Sequence, residues 1–147
     1  MQIAIKQAQK AQLKDEVPIG ACIVLNGKVI SKAYNQMEKT QDATAHAEII
    51  AIKKACKKLN SWRLDGAELY VTIEPCAMCA GAIVNARIKK VYFGATEQKS
   101  GCAQSLYPVL SASGLNHVTE FEGGLEQEKC ASLLKNYFKA KRKRKNP

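Results

Sequence analysis

The chain has 147 residues, 46% of them hydrophobic, and carries 23 Lys and Arg against 13 Asp and Glu, a formal net charge of +10. That length suits one domain with its own core rather than two, and that composition excludes a disordered chain. No apolar run approaches the roughly 20 residues of a membrane span, and the positive excess favours polyanionic partners, RNA and DNA first among them.

Met1 to Lys14 is rich in lysine and glutamine and reads as a first helix. It lacks the apolar centre of a secretory signal, which points to a cytoplasmic protein. Ala21 to Leu25 is a short apolar run, Asn26-Gly27 follows, and Lys28 to Tyr34 alternates in part. Asn-Gly between two such runs predicts a hairpin. From Ala45 the period changes: Ala45, Ile49, Ile52, Cys56 and Leu59 recur at helical spacing, with Lys53, Lys54, Lys57 and Lys58 mostly between them. Asp42 or Thr44 is placed to cap that helix.

Glu68 to Ile73 then reads as a strand, Cys76 to Ala86 as a helix and Lys90 to Ala95 as a strand. That order requires a crossover and a parallel pair. Thr96 to Asn116 looks like loop, with a short helical piece around Gln104 to Leu110, and His117 to Glu122 like a final strand. Gly123-Gly124 opens a last helix with Glu126 and Glu128 in its first turn and lysines near its end, as the helix dipole prefers. Its apolar stripe is Cys130, Leu133, Leu134, Tyr137 and Phe138. The expected architecture is a single α/β domain over residues 1–147, three layers with helices on both faces of a mixed sheet. It ends in a basic helix and tail, 126–147, where Lys139, Lys141, Arg142, Lys143, Arg144 and Lys145 concentrate the charge.

Of the six cysteines, Cys22, Cys56, Cys102 and Cys130 read as small buried or half-buried hydrophobes. Cys76 and Cys79, in "TIEPCAMCAG", are different. Pro75 sits at a helix start, where its missing N–H costs nothing. The two thiols then lie one turn apart near a helix N-terminus, which stabilises thiolates. This setting suits a redox couple or half of a zinc site, and a metal needs a third ligand. There are two histidines. His117, beside Asn116 in a polar stretch, reads as a surface residue. His46, in "DATAHAEII", opens a helix as Cys76 does, so packing can bring both helix starts together. Two thiolates and an imidazole form the three-ligand set of a catalytic zinc, with the fourth position left to water. A redox couple leaves His46 and Glu48 without a purpose, and a structural zinc normally takes four protein ligands. Glu48 taken alone is a solvated helix carboxylate; in the first turn beside His46 it can lean over the open side of a metal. Glu74 precedes the proline–cysteine turn and reads as structural, tying down the loop.

"HAE … PCAMC" has the form H-x-E … P-C-x-x-C, the signature of zinc deaminases. From "EVPIGA" (16–21) through "TAHAE", "TIEPCAMCAGA" and "VYFGA" to "YFKAKR", nearly the whole chain resembles the bacterial tRNA-specific adenosine deaminases. The signature by itself is shared with cytidine, deoxycytidylate and guanine deaminases; "CAGA" and the basic terminal helix tilt toward the tRNA enzymes. The resemblance implies a cytidine-deaminase-like α/β/α domain around a mixed five-stranded sheet. It implies hydrolytic conversion of adenosine to inosine at the wobble position of an arginine tRNA, by a homodimer with the anticodon loop across both subunits. It assigns zinc to His46, Cys76 and Cys79, and the proton shuttle to Glu48. It also assigns substrate contacts to Asn35, Ile19, Ile73 and Ala47, and RNA contacts to Phe138, Lys141 and Arg142. Two positions depart from the family pattern: Ala43 stands where proline is common, and Lys141-Arg142 replaces a pair of arginines, which weakens bidentate phosphate contact there.

Overall fold

Asn26 and Gly27 both adopt positive φ, 50° and 75°, as a tight two-residue hairpin demands. They join β1 (Gly20–Leu25) to β2 (Lys28–Tyr34) in antiparallel register, Gly20 opposite Tyr34 and Leu25 opposite Lys28, with one bulge at Ile23/Val24. The computed structural model describes residues 1–147. β1 also pairs antiparallel with β3 (Glu68–Ile73), β3 pairs parallel with β4 (Lys90–Ala95), and β4 pairs parallel with β5 (Glu120–Glu122). The mixed five-stranded sheet runs β2-β1-β3-β4-β5, matching the expected class.

Five α-helices complete the layers: α1 (Gln2–Leu13), α2 (Met37–Thr40), α3 (Ala47–Leu59), α4 (Ala77–Asn85) and α5 (Gln127–Lys145). α1 and α5 cover one face of the sheet, α3 and α4 the other. Alternate strand residues point into the second interface, where Ala21, Ile23, Leu69, Val71, Val91 and Phe93 join Ala51, Ala55, Ala80 and Ile83 in the main core. The opposite interface is tight because the sheet offers glycines there. A Cβ on Gly20 would stand 2.0 Å from the Ala4 carbonyl oxygen, and one on Gly94 2.4 Å from Cys130 Sγ.

Several local expectations are corrected. Neither Asp42 nor Thr44 caps α3: the N-cap is His46, and the Asp42 carboxylate instead accepts the Thr44 N–H and hydroxyl at 2.8 and 2.7 Å. Glu126 is the N-cap of α5, with φ 54°, rather than part of its first turn. Between Gln104 and Leu110 no α-helix forms, because the N–H groups of Ala103, Gln104 and Ser105 all donate to the Glu74 carboxylate; only a 3₁₀ turn follows at Val109–Ser111. The last strand is confined to Glu120–Glu122, since the Thr119 hydroxyl and a His117 ring nitrogen are both engaged with the Ile88 carbonyl at 2.9 Å. His117 is therefore half-buried and tethered, not a free surface side chain. The α5 stripe is only partly covered: Cys130 and Tyr137 are buried, Leu133 and Leu134 half-buried, and Phe138 is 41% exposed.

Candidate active site

β3 ends at Ile73, and Glu74-Pro75 leads straight into α4, so Cys76 becomes its N-cap with an extended backbone (φ −75°, ψ 177°). His46 holds the same place on α3 (φ −75°, ψ 152°). The two helices pack side by side on one face of the sheet and present their starts at the carboxyl ends of the parallel strands, where open α/β sheets bind ligands. His46 Nδ1 lies 3.6 Å from Cys76 Sγ and 3.4 Å from Cys79 Sγ, and all three ligand atoms fall within 4.8 Å of one another. No disulfide forms among the six cysteines. A tetrahedral ion with Zn–S of about 2.3 Å and Zn–N of about 2.0 Å holds neighbouring sulfur and nitrogen ligands about 3.5 Å apart, so this donor set fits zinc. No fourth His, Cys or carboxylate joins the group, as a catalytic site requires.

The electrostatics agree with that use. The neighbouring Cys79 thiol, then His46, hold the Cys76 pKa down at about 4. The same contact, with burial, pushes Cys79 up, and the bond to Cys76 raises His46. A dication bound there would favour both sulfurs as thiolates. Glu48, two residues beyond His46, is only 3% exposed. Burial raises its pKa, against smaller opposing effects from its backbone N–H, Cys79 and His46. The solvated carboxylate that its position alone suggested is in fact buried, lining the same pocket as His46 and Cys76.

Glu74 is the opposite kind of carboxylate. It accepts the N–H groups of Glu97 (3.1 Å), Ala103 (3.1 Å), Gln104 (2.9 Å) and Ser105 (2.9 Å), and the Ser105 hydroxyl. Burial alone would raise its pKa, but these bonds outweigh burial and lower it. The loop it organises is stitched to the cysteine turn through Cys102 N–H to the Pro75 carbonyl at 2.7 Å.

A cavity of about 280 Å³ opens over the triad, with His46, Glu48 and Cys76 at its floor and Val17, Ile19 and Ile73 as apolar wall. Ser100, Glu97, Leu134, Lys135 and Phe138 form its mouth. A larger groove of about 480 Å³ between α1 and α5 holds no comparable acid–base or ligand set. Of the residues expected from sequence, Ile19, Ile73 and Phe138 line the pocket. Asn35, 2% exposed at the end of β2, does not line it; its N–H donates to the Ile19 carbonyl at 3.0 Å. Ala47 is fully buried behind His46. Lys141 and Arg142 lie beyond the pocket on α5, with Lys141 Nζ 5.6 Å from the centre of the Tyr137 ring. Sequence reasoning missed Val17, Glu97, Ser100 and Lys135. Helical spacing carried a signal for Lys135, since it lies three residues before Phe138 on the same side of α5.

A cysteine pair and a histidine at adjacent helix starts, on a sheet of this order, define a deaminase of the cytidine-deaminase-like class. Known proteins agree. The family model of the MafB19-like deaminases matches residues 1–142. The tRNA-specific adenosine deaminase of Bacillus subtilis is 49% identical over 145 residues, 99% of this chain and 90% of that protein. A structure solved in a study of A-to-I editing by tRNA:A34 deaminases at the wobble position superposes with a TM-score of 0.88 at 44% identity, covering 91% of this chain and 97% of that one. A guanine deaminase from Bacillus subtilis is 42% identical but matches only 65% of this chain and 61% of its own, with a TM-score of 0.63. The chain belongs to the tRNA-specific adenosine deaminases and matches the MafB19-like deaminase family.

Proposed function

We propose that this enzyme hydrolyses adenosine to inosine at the wobble position of tRNA, an arginine tRNA first, with zinc held by His46, Cys76 and Cys79. The observation that carries this reading is the dry Glu48 carboxylate beside the triad at the floor of an apolar-walled pocket. When bound, zinc lowers the pKa of a water molecule toward neutrality. Glu48 takes a proton from the water as its oxygen bonds to C6 of the adenine, and passes a proton to N1. It then takes the remaining proton from the C6 hydroxyl and delivers it to the departing amine, so the C6–N bond breaks as the C6 carbonyl forms, ammonia leaves and inosine remains. Its raised pKa suits a group that must both accept and return a proton near neutral pH.

Ile19 and Ile73 flank the base, and Asn35, outside the pocket lining, supports that wall through its N–H on the Ile19 carbonyl at 3.0 Å. Ala47 fixes the backbone behind the base. C6 is hidden in a stacked duplex, so the target must lie in an unstacked loop. Phe138, exposed at the mouth, offers a stacking face to a neighbouring base, and Lys141, Arg142 and the cations beyond them attract phosphates. We further propose a homodimer and a cytoplasmic setting, supported by the kinship to tRNA enzymes and checked by sedimentation and cell fractionation. Incubation of the zinc-loaded protein with arginine tRNA, guanine, cytidine and adenosine in parallel tests the substrate. Inosine appears at the first anticodon position of the tRNA and the free compounds stay unchanged; preferential turnover of guanine would overturn the proposal.

A further inference from the structure

Lys135 is the one ammonium or guanidinium group lining the active-site pocket. It is exposed and enters none of the four ion pairs of the protein. The carboxylates around the same pocket do not neutralise it. Glu48 is buried at the floor, Glu74 is saturated by the N–H groups of the 97–105 loop, and Glu97 accepts the Lys99 N–H at 2.9 Å. On α5, Lys135 adjoins Leu134 and precedes Phe138 by three residues, so cation and aromatic ring share one rim.

An adenosine within RNA differs from the free nucleoside in carrying a phosphodiester on each side of its ribose. With the base at the floor, between Ile19 and Ile73, those two phosphates must lie at the mouth. We infer that Lys135 grips a phosphodiester flanking the target adenosine and so selects a base carried in an RNA strand over a free nucleoside. The inference rests on the function proposed above. An ammonium on a flexible stem suits this task, which needs charge at a position rather than readout of a base edge. The later cations of α5 are set back from it: Lys139, one turn on, does not line the pocket, and at 1.5 Å per residue Arg142 lies roughly 10 Å farther along the helix.

The experiment measures equilibrium binding of an RNA hairpin with one loop adenosine, and inosine formation in it, for the zinc-loaded wild type, Lys135→Ala and Lys135→Arg. Lys135→Ala weakens binding and raises KM by about 5-fold, leaves kcat within about 2-fold, and lowers the slope of log affinity against log salt by about 0.7, the share of one single-strand phosphate. Lys135→Arg restores most of the affinity. A hairpin whose phosphodiester next to the adenosine is replaced by a neutral methylphosphonate, on one side or the other, binds the wild type about 5-fold more weakly and costs Lys135→Ala nothing further. Equal binding and salt slope for wild type and Lys135→Ala would overturn the inference, as would additive losses at both linkages. Binding without inosine formation by the wild type would instead strike the proposed function, while the binding comparison still decides the role of Lys135.

Discussion

His46 Nδ1 stands 3.4 Å from Cys79 Sγ although 33 residues separate them. The contact joins the first turns of α3 and α4, so a metal there ties two helices and one face of the sheet together. The purified protein is expected to hold about one zinc per chain. Chelation abolishes deamination and lowers Tm, since a ligand bound only by the folded state at 1,000 times its Kd adds about 4 kcal/mol. Cys79→Ser retains at least about 10-fold less zinc by metal analysis; full occupancy in that variant contradicts the ligand assignment.

Glu48 and Glu74 are both nearly inaccessible, 3% and 2% exposed, yet they answer substitution differently. Glu48→Gln removes the proton carrier but not volume, so turnover falls by about 10³-fold or more while zinc content and Tm hold or rise. Glu74→Ala strands the N–H groups of Glu97, Ala103, Gln104 and Ser105 and costs about 3 kcal/mol in chemical denaturation. Glu74→Gln keeps one acceptor oxygen and falls between wild type and alanine in stability. Wild-type turnover in Glu48→Gln, or unchanged stability in Glu74→Ala, would reverse the two roles.

Truncation after Phe138 removes the Arg144–Asp15 ion pair (2.9 Å) but keeps the Tyr137 hydroxyl on the Asp15 carbonyl (3.1 Å). The ion pair is solvent-exposed and contributes little. The shortened protein therefore keeps its zinc and most of its stability, whereas tRNA affinity drops and loses much of its salt dependence. Unchanged affinity at low and moderate salt would exclude the tail from RNA binding.

Burial between α5 and β4 pushes the Cys130 thiol up to about 11. A group raised in the folded state contributes stability fully below its unfolded pKa, near 9, and loses it as pH climbs to about 11. Cys130→Ala should be about 1 kcal/mol less stable than wild type at pH 7, and that gap narrows between pH 9 and 11. A gap that stays constant across this range would mean that the thiol titrates normally.

Much of this protein follows from local pattern. Asn26-Gly27 specified the hairpin because few residues tolerate two consecutive positive φ values. Pro75-Cys76 specified a helix start because proline fits where a helix needs no N–H. The spacing of Cys76 and Cys79 put both thiols on one face, and the motif joined to His46 and Glu48 was specific enough to identify the deaminase chemistry. What sequence could not decide depended on groups distant in the chain. Glu48 looks solvated in its own helix, and only the packing of α3 against the sheet and α4 dries it. The 103–105 segment has no helical fate once Glu74, nearly 30 residues earlier, takes its N–H groups. Lys135 is one lysine among many until the crossing of α5 over the strand ends places it at the pocket mouth. Chain pattern sets backbone geometry through short-range sterics and hydrogen bonds, whereas dryness, charge partnership and position at a site depend on what the fold brings alongside.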